Sequence, residues 1–163
     1  MTTRSTLIAV ALVLGLTGCT ENSAIGNDRE AQFDSLEPPA ERASAESLAQ
    51  IDPGLLKPEP MTEADLASLR GSEALCRFRY TEVGFPVFLY PATGDAPAII
   101  KLNGKLIPLR PAGGTHEYAD GPVRVEMRHP DGVPIAGEEE AVLILRFDGA
   151  SGELGFAGEA ECP

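Results

Sequence analysis

The sequence predicts a mainly β protein: a small antiparallel β-barrel or sandwich of about six to eight short strands, with one short leading helix and a disordered tether before it. Two observations carry this reading. Beyond residue 75 the apolar residues recur with a period of two, the signature of strands with one buried face. Within that region, Asn103-Gly104 stands between two apolar runs, which is a hairpin signal.

The chain divides into residues 1–18, 19–60 and 61–163. The first division reads as a lipoprotein signal peptide. Met1 to Thr6 carry one positive charge, at Arg4, and Leu7 to Leu16 form an apolar run. Its length falls within the roughly 7–15 residues of a signal-peptide core and short of the ~18 needed to span a bilayer as a helix. Leu16-Thr17-Gly18-Cys19 follows and resembles a lipobox. That resemblance implies lipidation of the Cys19 thiol, removal of everything before it, and acylation of the new amino group. The expected location is the bacterial cell envelope. Thr20 rather than aspartate follows the cysteine, which by resemblance to enteric sorting favours the outer membrane, facing the periplasm.

The formal net charge is −12, and loss of Arg4 takes it to −13. Such acidity repels nucleic acid and anionic membrane surfaces, so neither is an electrostatic partner. Contact with the membrane runs through the lipid anchor. A basic protein partner is compatible with the charge. With Cys19 assigned to lipid, Cys76 and Cys162 remain in an oxidising compartment and are expected to form a disulfide. Free thiols and metal ligation are the alternatives, and ligation lacks further ligands at suitable spacing.

Residues 19–60 are acidic, punctuated by Pro38, Pro39, Pro53, Pro58 and Pro60, and sparse in bulky apolar residues. A segment of this kind buries too little surface to offset its ordering entropy, and a disordered tether is expected. At most, Ala40 to Ile51 forms a weak helix. Thr62 then opens the folded domain as a helix cap, with Asp65 at the third position and Leu66 and Leu69 on one face. Arg70-Gly71 is the expected stop.

The strands follow in order. Cys76, Phe78 and Tyr80 alternate with Arg77, Arg79 and Thr81; Pro86 to Tyr90 is a second short strand. A type I′ turn at Asn103-Gly104 pairs Leu102 with Lys105, Ile100 with Ile107 and Ala98 with Leu109, placing their apolar members on the core face. Pro108 points outward, which marks a partial edge. Pro111 to Gly121 reads as a Gly-rich loop. Val123, Val125 and Met127 form the next one-sided strand, and 129–140 is a loop containing Pro130-Asp131-Gly132 and a solvated Glu138-Glu139-Glu140 run. Ala141 to Asp148 and Glu153 to Gly158 complete the set.

Catalytic patterns are absent from the sequence. His116 and His129 sit in predicted loops without a nucleophile or carboxylate at a recognised spacing, and no Gly-x-Ser-x-Gly elbow, phosphate loop or dinucleotide fingerprint occurs. The expectation is a protein that is not an enzyme, with no cofactor and no metal, whose domain binds a partner or serves a structural role.

The layout resembles the membrane-bound inhibitors of c-type lysozyme. The features that carry the resemblance are Cys19, Cys76 within Cys-Arg-Phe-Arg-Tyr, the hairpin at Leu102-Asn103-Gly104, Leu109, the Gly113-Gly114 loop leading to Tyr118, and Cys162. The family implies a small antiparallel barrel with a disulfide from its first strand to its C-terminus. It also implies inhibition by two loops, here 111–121 and 129–140, with His116, Tyr118 and Arg128 as the binding candidates. Gly113 to Tyr118 lacks the family's serine and is one residue longer between glycine and tyrosine, and Met127 to Gly132 contains no Lys-Gly pair.

Overall fold

The structure, a computed structural model, describes residues 37–69, 71–93, 96–129 and 137–163, with the backbone alone at Glu138. The expected signal peptide (1–18), Cys19, Arg70 and Pro130-Asp131-Gly132 lie outside the described residues. Residues 38–163 form one compact unit. In chain order its elements are β1 (Glu41–Arg42), two single 3-10 turns (Ala45–Leu48 and Pro53–Leu55), α1 (Glu63–Ser68) and a third 3-10 turn (Ser72–Ala74). The main strands are β2 (Cys76–Arg79), β3 (Phe88–Tyr90), β4 (Ala98–Leu102), β5 (Lys105–Pro111), β6 (Glu117–Asp120), β7 (Val123–Arg128), β8 (Glu138–Phe147) and β9 (Glu153–Glu161).

Strands β2 to β9 close into an eight-stranded antiparallel barrel. The order runs β5-β4-β3-β2-β9-β8-β7-β6, and β6 returns to β5 through Arg110↔Ala119 and Pro111↔Tyr118. The alternation explains the closure: side chains of period two project inward from every strand and meet in one core. Cys76, Phe78, Phe88, Tyr90, Ile100, Ile107, Leu109, Tyr118, Val125 and Leu143 all belong to it. Asn103 and Gly104 both have positive φ, as a type I′ turn requires, and the three expected pairs across the hairpin are present. Pro108 is exposed between the β1 partner at Leu106 and the β6 partner at Arg110, where no N–H is required of it.

Three expectations are corrected. The disordered tether does not extend to residue 60: from residue 38 the chain is built into the barrel, and the compact unit begins there rather than at 61. β1 pairs in parallel with β5 at Lys105 and Leu106, and Ala45, Leu48 and Leu56 join the main core at the β6–β7 and β4–β5 hairpin end. Asp120 Oδ2 accepts the Ala45 N–H at 2.7 Å, and Glu59 Oε2 accepts the Gly104 N–H at 3.0 Å. The segment is poor in apolar residues, but the barrel supplies both the surface and the strand edge that it lacks. Second, the Gly-rich stretch 111–121 contains β6, paired along its length with β7, so the loop proper is residues 112–116. Third, Glu138 to Glu140 are the first residues of β8, not loop, and pair with Glu161, Ala160 and Glu159.

Helix α1 has the expected capping box. Thr62 Oγ1 accepts the Asp65 N–H, and Asp65 Oδ2 accepts the Thr62 N–H at 2.8 Å. Leu66 and Leu69 pack with Met61 on Leu89, Ile99 and Leu106, a second small core on the outer face of β3, β4 and β5. Within it Asp65 is fully buried and receives Lys101 Nζ at 2.7 Å and the Ala40 N–H at 2.6 Å. Cys76 and Cys162 form the expected disulfide, joining the start of β2 to the C-terminal side of β9.

Candidate binding end of the barrel

Antiparallel order sends the starts of β2, β4, β6 and β8 and the ends of β3, β5, β7 and β9 to the same rim. The disulfide lies there, and Cys76 is directly opposite Tyr90 in register. The other rim is occupied by the segment 45–58, so the two ends of the barrel have different chemistry.

At the disulfide rim the loop 112–116 is drawn tight. Ala112 N–H donates to Glu117 O at 2.8 Å, and Met127 N–H donates to His116 O at 3.0 Å. Gly113 takes φ of +92° and His116 takes +55°. A left-handed conformation is routine for glycine and costs a β-carbon-bearing residue energy, so the backbone is over-determined at His116. The effect is to hold the imidazole across the Tyr90 ring edge, with centroids 5.5 Å apart. His129, just past the end of β7, meets His116 at 6.4 Å. Below them Tyr90 stacks on Phe88 at 5.4 Å, and Phe88 meets Tyr118 edge-on at 5.8 Å.

Burial sets the electrostatics of this cluster. It pushes the Tyr118 phenol up to about 12 and the Tyr90 phenol higher still, assisted there by Tyr118 and Glu139. Burial also lowers both imidazoles. His116 is lowered further by His129, whereas Glu139 and the Glu140 backbone pull His129 partly back. Both histidines are therefore held toward the neutral form. The Tyr90 hydroxyl and both nitrogens of His129 are buried, and no well-aligned hydrogen bond reaches any of the three atoms.

The three sequence-derived binding residues separate. His116 and Tyr118 belong to the rim cluster, but Tyr118 is only 3% exposed and acts as a core side chain beneath it. Arg128 is turned to the outer face. Glu126 takes its Nε and Nη2 at 2.6 and 3.0 Å, and Arg146 joins Glu126 to Glu153. Hydrogen bonding from Arg128 outweighs burial and holds the Glu126 carboxyl below its ordinary range, with Arg146 adding to the effect. Tyr90 and Glu139 were missed by sequence reading. Tyr90 falls in a short strand, and only the barrel register brings it beside residues 116 and 129.

Among the described residues, surface hollows accompany the rim and the β8–β9 face. One of about 100 Å³ lies among Glu73, Leu75, Arg77, Glu161 and Pro163, close to the disulfide. Another, about 350 Å³, opens where β2 turns away from β9, beside Tyr80, Val142, Ala157 and Gly158. The barrel interior holds the packed apolar side chains of the main core. Among the described residues no three His, Cys, Asp or Glu side chains gather at one point.

A family model described as Domain of unknown function (DUF6692) matches residues 15–163. No curated protein and no solved structure matches the chain.

Proposed function

The chain belongs to the DUF6692 family, and we propose that it is a lipid-anchored envelope lipoprotein whose barrel is a non-enzymatic binding module presenting its disulfide rim to a partner. The observation that carries this reading is the asymmetry of the barrel. Its core is filled, one rim is closed by the segment that follows the tether, and the other displays a tightly held loop with His116. A filled barrel recognises partners with its rim and outer face rather than by enclosing them. The family match begins at Gly15, so it takes in Leu16-Thr17-Gly18-Cys19 together with the barrel, which supports treating anchor and domain as one unit. The proposed site of action is the periplasmic face of the outer membrane.

Two measurements test it. Metabolic labelling with palmitate should mark the wild-type chain and not Cys19→Ala; an unlabelled wild-type chain would overturn the anchor. A photo-crosslinker at exposed Thr115 should capture an envelope protein that the same group at exposed Ser151, on the opposite rim, does not. Equal capture from both positions would refute the rim assignment.

A second reading is inhibition of c-type lysozyme. An eight-stranded barrel tied by a cysteine bond from first strand to C-terminus, on a strongly acidic chain, favours it. Burial of Tyr118 leaves His116 as the loop residue available for contact. Lysozyme activity in the presence of a micromolar excess of the purified chain decides the matter, and unchanged activity removes this reading.

A further inference from the structure

We propose that His116 and His129, backed by the Tyr90 hydroxyl, form an open binding site for a divalent transition-metal ion of the Cu²⁺ class. This stands apart from the partner-binding role and does not depend on it.

Three observations converge on the same few side chains. Tyr90 is fully buried, yet its hydroxyl finds no hydrogen-bond partner, and the buried ring nitrogens of His129 have between them only a poorly aligned contact with the Glu140 backbone. Leaving such buried polar atoms without good partners is costly, so the cluster favours an occupant that supplies polar contacts. The spacing of the imidazoles is the second. A metal held at about 2.1 Å by one nitrogen of each ring sets the two centroids roughly 5–6.5 Å apart, depending on the angle at the metal. Those of His116 and His129 are 6.4 Å apart, the wide end of that range, which corresponds to nitrogens nearly opposite one another as in a square-planar Cu²⁺ or Ni²⁺ site. The third is the backbone at His116. Apart from Asn103, whose type I′ turn demands it, His116 is the non-glycine residue with positive φ among the described residues. Its conformation places the ring between Tyr90 and His129.

The donor set selects the ion. Two imidazoles suit copper, zinc and nickel, whereas calcium and magnesium seek oxygen cages. Two nitrogens leave the remaining positions to water. The unpartnered Tyr90 hydroxyl suits donation to such a water rather than direct ligation. An open site of this kind exchanges its ion, unlike a closed four-ligand structural site.

The test is Cu²⁺ binding to the full-length chain, free of added histidines and carrying Cys19→Ser so that no thiol competes. Electron paramagnetic resonance at one equivalent of Cu²⁺ should show hyperfine coupling to imidazole nitrogens, with affinity in the micromolar range. His116→Asn and His129→Asn should each weaken binding by about tenfold or more, with circular dichroism confirming that the barrel persists. Absence of stoichiometric Cu²⁺ binding, a wild-type spectrum without imidazole coupling, or unchanged affinity in both folded variants would overturn the site. If a variant does not fold, the imidazole coupling of the wild-type chain decides.

Discussion

Lys101 Nζ lies 2.7 Å from Asp65 Oδ2 on the outer face of the barrel, in a place where Asp65 has no solvent exposure and the lysine side chain only 8%. Asp65 also receives the Ala40 and Thr62 N–H groups, so one carboxylate joins the incoming chain, the helix cap and β4. Removing it leaves a buried ammonium without its partner. Asp65→Ala should cost about 3–5 kcal/mol in urea unfolding, and Asp65→Leu with Lys101→Met should cost no more than the worse single change. A loss below about 1 kcal/mol for Asp65→Ala would show that the pair holds nothing together.

The same carboxylate predicts a pH dependence. Burial raises its pKa, but hydrogen bonds from Lys101, Ala40 and Thr62 together prevail and hold it below the ordinary 3.8. A depressed folded pKa gives stability that is present above 3.8 and lost as pH falls through the folded value. Unfolding free energy should therefore decline in the acid range below about pH 4, and Asp65→Asn should decline less steeply there. Parallel slopes for the two proteins would contradict this.

Leu48 tests whether residues 38–60 belong to the fold. It is 2% exposed and sits in the main core although it precedes the first barrel strand by many residues. Leu48→Ala should cost about 2–5 kcal/mol. A tether residue would tolerate the change with no measurable shift in Tm.

Much of this architecture is legible in the sequence, for a local reason. The Asn103-Gly104 hairpin, the Thr62 cap and the alternation around Val123 are each specified by neighbouring residues. Cys76 and Cys162 pair because the third cysteine has another expected use. What is not legible depends on distant partners. Ala45, Leu48 and Leu56 show no period, so only the barrel that receives them explains their order. Lys101 occupies the outward position of an alternating strand, which reads as solvent-facing until α1 is laid over it. β6 hides within a Gly-rich run because its pairing with β7 is a tertiary fact. At the rim, His116 and Tyr118 are neighbours in sequence, whereas Tyr90 and His129 join them only through strand register.

Gly158 is a point where side-chain absence is structural. A β-carbon there would overlap the Arg79 carbonyl oxygen and press on the Phe78 ring, where β2 runs against β9. Gly158→Ala should destabilise by about 1–3 kcal/mol through overpacking. Gly155→Ala, with only ordinary contacts to Ile144 and Val142, serves as the control and should be milder.

The disulfide spans a sequence separation of 86, for which loop-closure entropy gives roughly 4–5 kcal/mol. Cys76→Ser with Cys162→Ser should lower Tm markedly, and reductant should do the same to the wild-type protein. Equal Tm with and without reductant would rule out that contribution.

The bridge between Cys76 and Cys162 also turns the barrel into a covalent ring, with residues 38–75 outside it. A single proteolytic nick in any loop between the two cysteines leaves one molecule, its pieces still linked. A nick before residue 38 instead sets the compact unit free from whatever the N-terminal segment holds. With Cys19 lipidated as proposed, the two kinds of cut have different fates: the first produces a clipped protein that stays with its anchor, the second a shed domain. In the proposed envelope setting, proteases would meet a molecule in which the address of the cut, rather than its extent, determines whether the barrel remains in place.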